Sequence, residues 1–254
     1  MKSFAFAFAA LAFVFGGALF GLYLQRHVPS DHLGEESKDI VKLCLGVIAT
    51  LTALVLGLLV SSAKSSFDNM TSELTLAAVR VIQIDRALAD FGPEASEARR
   101  VLRHHYQAVV EALGARERSQ LEKLHRPETS RAIEDSQTTI RALVPRTDDQ
   151  RDARARALAY AEDASANRWL LQLQQHDTFS APLVVVVVSW LTAIFVGFGL
   201  YAPRNATVIA VLFTCAVSVS GALFLILEMD DPFAGIVRIS DAPMRRALGF
   251  LGSE

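Results

Sequence analysis

The sequence predicts an all-α membrane protein, with four transmembrane helices and a helical cytosolic insert between the second and third. Three observations predict it. Four apolar runs of spanning length lie at about 4–24, 40–60, 181–201 and 206–227, each near the roughly 20 residues that a hydrocarbon core of about 30 Å requires. Hydrophobic residues make up 52% of 254 and charged ones 20%, but the two are segregated, apolar at the ends and charged in the centre, which is the pattern of a membrane protein with a soluble insert. The centre also lacks the alternation of Val, Ile and Tyr that strands require. The expected division is a first transmembrane pair in 1–60, a helical cytosolic domain in 61–180 continuous with the second helix, a second transmembrane pair in 181–228, and a cytosolic tail in 229–254.

The first run, FAFAFAALAFVFGGALFGLYL, follows Lys2 and carries small residues at Gly17 and Ala18. A signal peptide competes with a spanning helix here. The run exceeds the roughly 7–15 residues of a signal core, so it reads as a retained helix. A short polar loop, QRHVPSDHLGEESKD, leads to the second run, where Lys42 sits one turn inside the helix and can reach back to the interface.

The second run continues into water. From Ile40 to Phe91 there is no helix breaker, and the next Gly-Pro pair is Gly92-Pro93. About 50 residues at 1.5 Å each give roughly 75 Å, far beyond the membrane. The water-side half spaces Phe67, Met70, Leu74, Ala77, Val81, Ile84, Leu88 and Phe91 alternately three and four apart. Such a cytosolic seam packs helices at small crossing angles, either within a local bundle or between subunits. The membrane half has two faces. Gly46, Ala49, Ala53 and Gly57 form a small one suited to close helix contact. Ile48, Thr52, Val55, Leu59, Ser62 and Ser66 form another, apolar at its middle and hydroxylated at its inner end, and are the pore-lining candidates. In the alternative, the Thr and Ser hydroxyls bond back to their own helix carbonyls.

The insert reads as a series of helices. Pro93 suits a first helical position and Glu94 and Glu97 suit a positive N-terminal end. Val101, Tyr106 (or His105), Val109 and Leu113 form the expected buried stripe, with Gly114 as a stop. A charged stretch follows, then a helix opened by Pro127 and ended by Pro145, then an Ala-rich one from Asp148. The charge runs read as solvated faces. His104 and His105 point about 100° apart on a helix and cannot chelate one ion together.

Ala202-Pro203-Arg204-Asn205 is a tight turn that makes the last two spans an antiparallel hairpin. Beyond them, Glu228, Asp230 and Asp231 either cap neighbouring helices or bind a hard cation. The tail ends in a short amphipathic helix with Arg245 and Arg246, expected on the membrane surface. Lys2, Lys64, Arg80, Arg168, Arg238, Arg245 and Arg246 fall on one side, and Arg26, Lys38 and Arg204 on the other. That bias puts both termini and the insert in the cytoplasm.

A net charge of −2 argues against nucleic-acid binding. Cys44 and Cys215 both fall in apolar segments, as small hydrophobes do, and neither belongs to a zinc or disulfide pattern. No phosphate loop, nucleophile elbow or His-Glu-x-x-His occurs, and an enzyme is not expected.

The segments LVLGLLVSSAKSSFD (54–68), IDRALADFGPEASEAR (84–99), LYAPRNATVIAVLFTCAVSVSGALFLILEMDDPFAGIVRIS (200–240) and the later APMRRAL resemble the bestrophin-like domain family of bacterial integral membrane proteins. The resemblance extends over nearly the whole chain and is most specific at APRNAT and FLILEMDDPF. It implies similarity to bestrophins: pentameric ion channels whose second helix lines the pore, with a helical cytosolic region between the second and third helices. It implies a bacterial inner-membrane location. Bestrophins carry bulky, partly aromatic neck residues on that helix, whereas Ile48, Val55 and Leu59 include no aromatic. Animal bestrophins bind calcium through acidic residues after the fourth helix, and Glu228, Asp230 and Asp231 occupy a similar place without matching that cluster well. A divalent cation there is the one cofactor the resemblance suggests.

The expected function is an oligomeric, bestrophin-like ion channel, the ion unspecified, with a pentamer favoured. The alternative is a non-conducting scaffold or sensor that docks a partner through its cytosolic helices. Symmetry separates them, because an axial pore requires a closed ring.

Overall fold

The computed structural model describes residues 2–28, 34–114, 135–174, 181–230 and 236–252. Among them the chain is helical and contains no strand. The elements are α1 (Lys2–Leu24), α2 (Glu35–Phe91), a 3₁₀ turn (Pro93–Ala95), α3 (Ser96–Gly114), α4 (135–141), α5 (Asp148–Gln174), α6 (Ala181–Tyr201), α7 (Ala206–Asp230) and α8 (Ala242–Phe250). Four of these contain stretches long and apolar enough to cross a membrane: Ser3–Leu24, Lys38–Phe91, Pro182–Tyr201 and Ala206–Met229. The chain divides into two compact units, Met1–Ser66 with Thr178–Asp231, and Phe67–Asp177 with Pro232–Glu254. The helix expected from Pro127 lies outside the described residues up to its last turns, and the side chains of Arg168 and Trp169 are likewise outside them.

In the first unit α1 packs against both α6 and α7. Ala10, Val14 and Ala18, four residues apart on α1, are buried with Val187, Leu191, Ile194 and Phe195 of α6 and Leu212, Ala216, Leu223 and Ile226 of α7. Glycine sets the spacing. A methyl at Gly21 would overlap the Val196 carbonyl oxygen, and one at Gly199 would overlap the Ala18 carbonyl oxygen. In hydrocarbon, where apolar burial drives little, such close backbone contact supplies much of the attraction between helices. Thr192 and Thr214 satisfy their hydroxyls within their own helices, donating to the Val188 carbonyl at 2.8 Å and to that of Ala210 at 2.9 Å. The tight turn is tied to α1, because Arg204 Nη2 donates to the Leu22 carbonyl at 3.0 Å and Nε to Gln25 Oε1 at 3.0 Å. Asn205 Oδ1 accepts the Val208 N–H at 2.8 Å and caps α7.

In the second unit α2 ends where the Gly-Pro pair falls. Gly92 adopts φ 111°, a conformation open to glycine, and Pro93 starts the 3₁₀ turn. The Phe91 carbonyl, orphaned at the helix end, accepts Gln150 Nε2 at 3.0 Å. Ile84, Ala87, Leu88 and Phe91 of α2 pack with Ala98 and Leu102 of α3, Ile140, and Ala153, Ala157 and Ala161 of α5. The alanines make α5 thin on this side.

Two expectations are corrected. The buried stripe of α3 is Ala98, Leu102, Tyr106 and Val110, with Val101, Val109 and Leu113 only half-buried. Neighbours on both sides of the helix widen the covered arc. The tail helix does not use its apolar face on a membrane surface: Met244, Ala247 and Leu251 are buried with Ala78, Tyr106 and Val110.

Gly199→Ala is expected to force α1 and α6 apart and to cost about 1–3 kcal/mol, read as a lowered unfolding temperature of the detergent-solubilised chain. Gly57→Ala meets open space and is expected to leave that temperature unchanged or slightly raised. Equal effects of the two would remove the close-contact account.

Candidate functional site: the second helix

Within the first unit, α2 offers one covered face and one open face. Ile48, Ala49, Val55 and Leu56 are half-buried against the cluster that holds Leu59 and Ala63. Leu45 fills the space left by Gly197, where a methyl would collide with the leucine Cδ1. On the opposite side Leu43, Val47, Thr50, Leu54, Gly57, Leu58 and Ser61 are exposed. Of the four spans, this helix is the least covered by its own chain: 17% of its apolar window is buried, against 33%, 39% and 28% for the others.

The six pore-lining candidates divide unevenly between these faces. Thr52 is 2% exposed and Leu59 8%, both covered by the chain's own helices. Ile48, Val55 and Ser66 are half-buried, and Ser62 is exposed. Thr52 Oγ1 donates to the Ile48 carbonyl at 2.7 Å, the back-bonding alternative. The small face fares oppositely, with Gly46, Ala53 and Gly57 exposed and Ala49 half-buried. Methyls at Gly46 or Gly57 would meet nothing within 4 Å. Thr50, Leu54 and Ser61 were missed as a set. Spacing marks their face as readily as the Thr52 face, but it carries no information about which one the neighbouring helices cover.

In the second unit the seam splits likewise. Ile84 and Leu88 are buried in the α2–α3–α5 core, whereas Phe67, Met70, Leu74 and Val81 are half-buried. The sequence reading also missed Asp85, next to the seam. Its side chain is 2% exposed, and Arg99 reaches it twice, Nε to Oδ1 at 2.8 Å and Nη2 to Oδ2 at 2.9 Å. The signal was present: an acidic residue inside an apolar seam needs a cation, and α3 brings one back across the Gly-Pro corner.

Other candidates are not drawn together. Glu228 is buried, while the side chain of Asp230 and all of Asp231 lie outside the described residues. Among the described residues no group of three or more His, Cys, Asp or Glu is placed to hold a metal. His105 Nδ1 lies 3.2 Å from Ser136 Oγ, a local contact between α3 and α4. Cys44 and Cys215 are exposed free thiols rather than buried hydrophobes, because each falls on the uncovered side of its helix. Ser220 Oγ on α7 is buried and makes no hydrogen bond.

A family model for the bestrophin-like domain matches residues 12–244. Neither a curated protein nor a solved structure matches the chain.

Asp85→Ala removes the carboxylate that takes two bonds from Arg99 and is expected to cost about 3 kcal/mol, measured by denaturant unfolding followed by circular dichroism in detergent. Asp85→Leu combined with Arg99→Met removes both charges and is expected to recover at least half of that loss. A double variant as unstable as the single one would mean that packing, not the charge pair, governs this position.

Proposed function

Since the chain belongs to the bestrophin-like domain family of membrane proteins, we propose that it assembles as a closed ring of copies around an ion-conducting pore, with α2 of each copy facing the axis. The observation that carries this reading is the open face of α2. The span least covered by its own chain is also the one that runs on, unbroken, to Phe91. A ring gives that face a role, because identical copies related by rotation place the same face of each α2 around the axis. The lining we propose is Val47, Thr50, Leu54 and Ser61, all exposed, with a hydroxyl on either side of Leu54. The Thr50 hydroxyl donates to the Gly46 carbonyl at 2.9 Å, which leaves its oxygen lone pairs available toward an ion or water. Gly46, Ala53 and Gly57, on one flank of that line, suit close contact with a neighbouring copy's α2.

The proposed topology keeps both termini and the 61–180 insert in the cytoplasm of a bacterial inner membrane, in line with the basic residues that flank the insert and follow α7. The second unit is then the cytosolic domain, and the half-buried seam residues Phe67, Met70 and Leu74 are its proposed contact with neighbouring copies. We propose no catalytic role.

Native mass spectrometry of the detergent-purified protein is expected to give five copies, and liposomes containing it are expected to pass ions. Leu54→Trp should lower flux at least tenfold at unchanged oligomer mass. Leu59→Trp should instead lower the unfolding temperature, because the larger ring must enter a packed cluster. A monomer or dimer in every detergent would remove the ring, and full flux through Leu54→Trp would remove the proposed lining.

A further inference from the structure

The C-terminal residues dock onto the second unit as an addition to its core. α8 presents Met244 and Ala247, with Leu251 just beyond it, to Ala78 of α2 and to Tyr106 and Val110 of α3. The Tyr106 hydroxyl donates to the Met244 carbonyl oxygen at 3.1 Å and lies 3.2 Å from Met244 Sδ. The Gly252 N–H points at Asp85 Oδ2, 3.3 Å away. Leu248 is half-buried against the same cluster, whereas Arg245, Arg246 and Phe250 are exposed.

Three features set this contact apart from the fold it rests on. The core of α2, α3 and α5 forms a separate cluster to which no described tail residue contributes. Lifting the tail uncovers Asp85 and the Tyr106 hydroxyl without stranding either. Asp85 keeps both bonds to Arg99, and the Tyr106 hydroxyl, once uncovered, exchanges a carbonyl for water. Burial holds the Tyr106 phenol well above its ordinary pKa, so it remains a donor at every working pH and the contact does not titrate there. Finally, α8 has nine residues and no side-chain cap at Asp241, whose carboxylate accepts Arg245 Nε at 2.8 Å instead. A helix that short is unstable alone in water, so its folding is coupled to its seat.

We propose that residues 240–252 form a displaceable latch: a segment that folds on the α2–α3 seat, orders α2 around Ala78–Asp85 while seated, and exchanges with further copies of the same segment supplied in trans. The seat lies on the helix that also carries the second apolar run, so occupancy of the seat biases the order of that helix. The inference does not depend on conduction, and its test uses no flux measurement.

The test compares the full chain with a chain ending at Ile239, both in detergent, using a fluorescent peptide of residues 240–254. The shortened chain is expected to keep its helicity and oligomer mass and to bind the peptide saturably. The full chain, its seat filled, should bind it at least tenfold more weakly. Amide exchange over 78–88 should rise at least tenfold in the shortened chain and return on adding peptide. Leu251→Asp in the full chain should reproduce the faster exchange without truncation. Collapse of the shortened chain would show the tail to be part of the core and overturn the latch. So would absence of peptide binding, or wild-type exchange in Leu251→Asp.

Discussion

From Glu35 to Phe91 the backbone is one uninterrupted helix, and the rest of the chain is arranged to cover part of it. In hydrocarbon every amide must find its partner within the segment, and a helix meets that demand turn by turn. In the proposed topology the same helix leaves the membrane without a break, because its hydrogen bonds are indifferent to the solvent outside. What changes along it is the side-chain chemistry: Leu and Val to Val60, hydroxyls at Ser61, Ser62, Ser65 and Ser66, then an amphipathic pattern. The helix ends only where Gly92 supplies a positive φ and Pro93 removes a donor.

The two units are packed in two ways. Around α1, α6 and α7 small residues let backbones approach, since leucine against leucine gains little over leucine against lipid. In the second unit the core is built instead from large side chains, Ile84, Leu88, Phe91 and Ile140, over an alanine floor. α2 takes part in both. It joins the first unit through long side chains such as Leu45 and Leu59 and leaves its own glycines outside. α2 thus carries small residues, Gly46, Ala53 and Gly57, that its own chain leaves exposed.

The elements were legible because their causes are local. Run length located the four apolar helices, Gly92-Pro93 marked the end of α2, and Pro203-Arg204-Asn205 marked the hairpin turn. Faces were less legible, because burial is a property of neighbours. The 3–4 spacing that selected Thr52 and Leu59 selects Thr50 and Leu54 equally well, half a turn away. Only the packing of α6 and α7 decides which pair is covered. Likewise the apolar face of α8 was visible in Met244 and Ala247, but its partner was a tyrosine well over a hundred residues earlier. Asp85 escaped for the same reason: its counter-charge Arg99 becomes adjacent only once the chain has turned at Gly92.

The buried Asp85–Arg99 pair explains why the second unit holds its shape at the point where three segments meet. An isolated carboxylate at 2% side-chain exposure would be strongly disfavoured. Two charge-assisted bonds from one guanidinium fix both distance and plane, so α3 can return along α2 in one register only. Hydrophobic contacts between Ala98, Leu102 and the α2 residues permit sliding by small steps, but a bidentate ion pair does not. The pair thereby holds the α2–α3 seat without a contribution from the tail, and the Gly252 N–H points at a carboxylate that Arg99 also binds. A seat formed in advance lowers the ordering cost to that of the short helix alone. This is the condition under which a nine-residue segment can dock and leave while the fold beneath it persists.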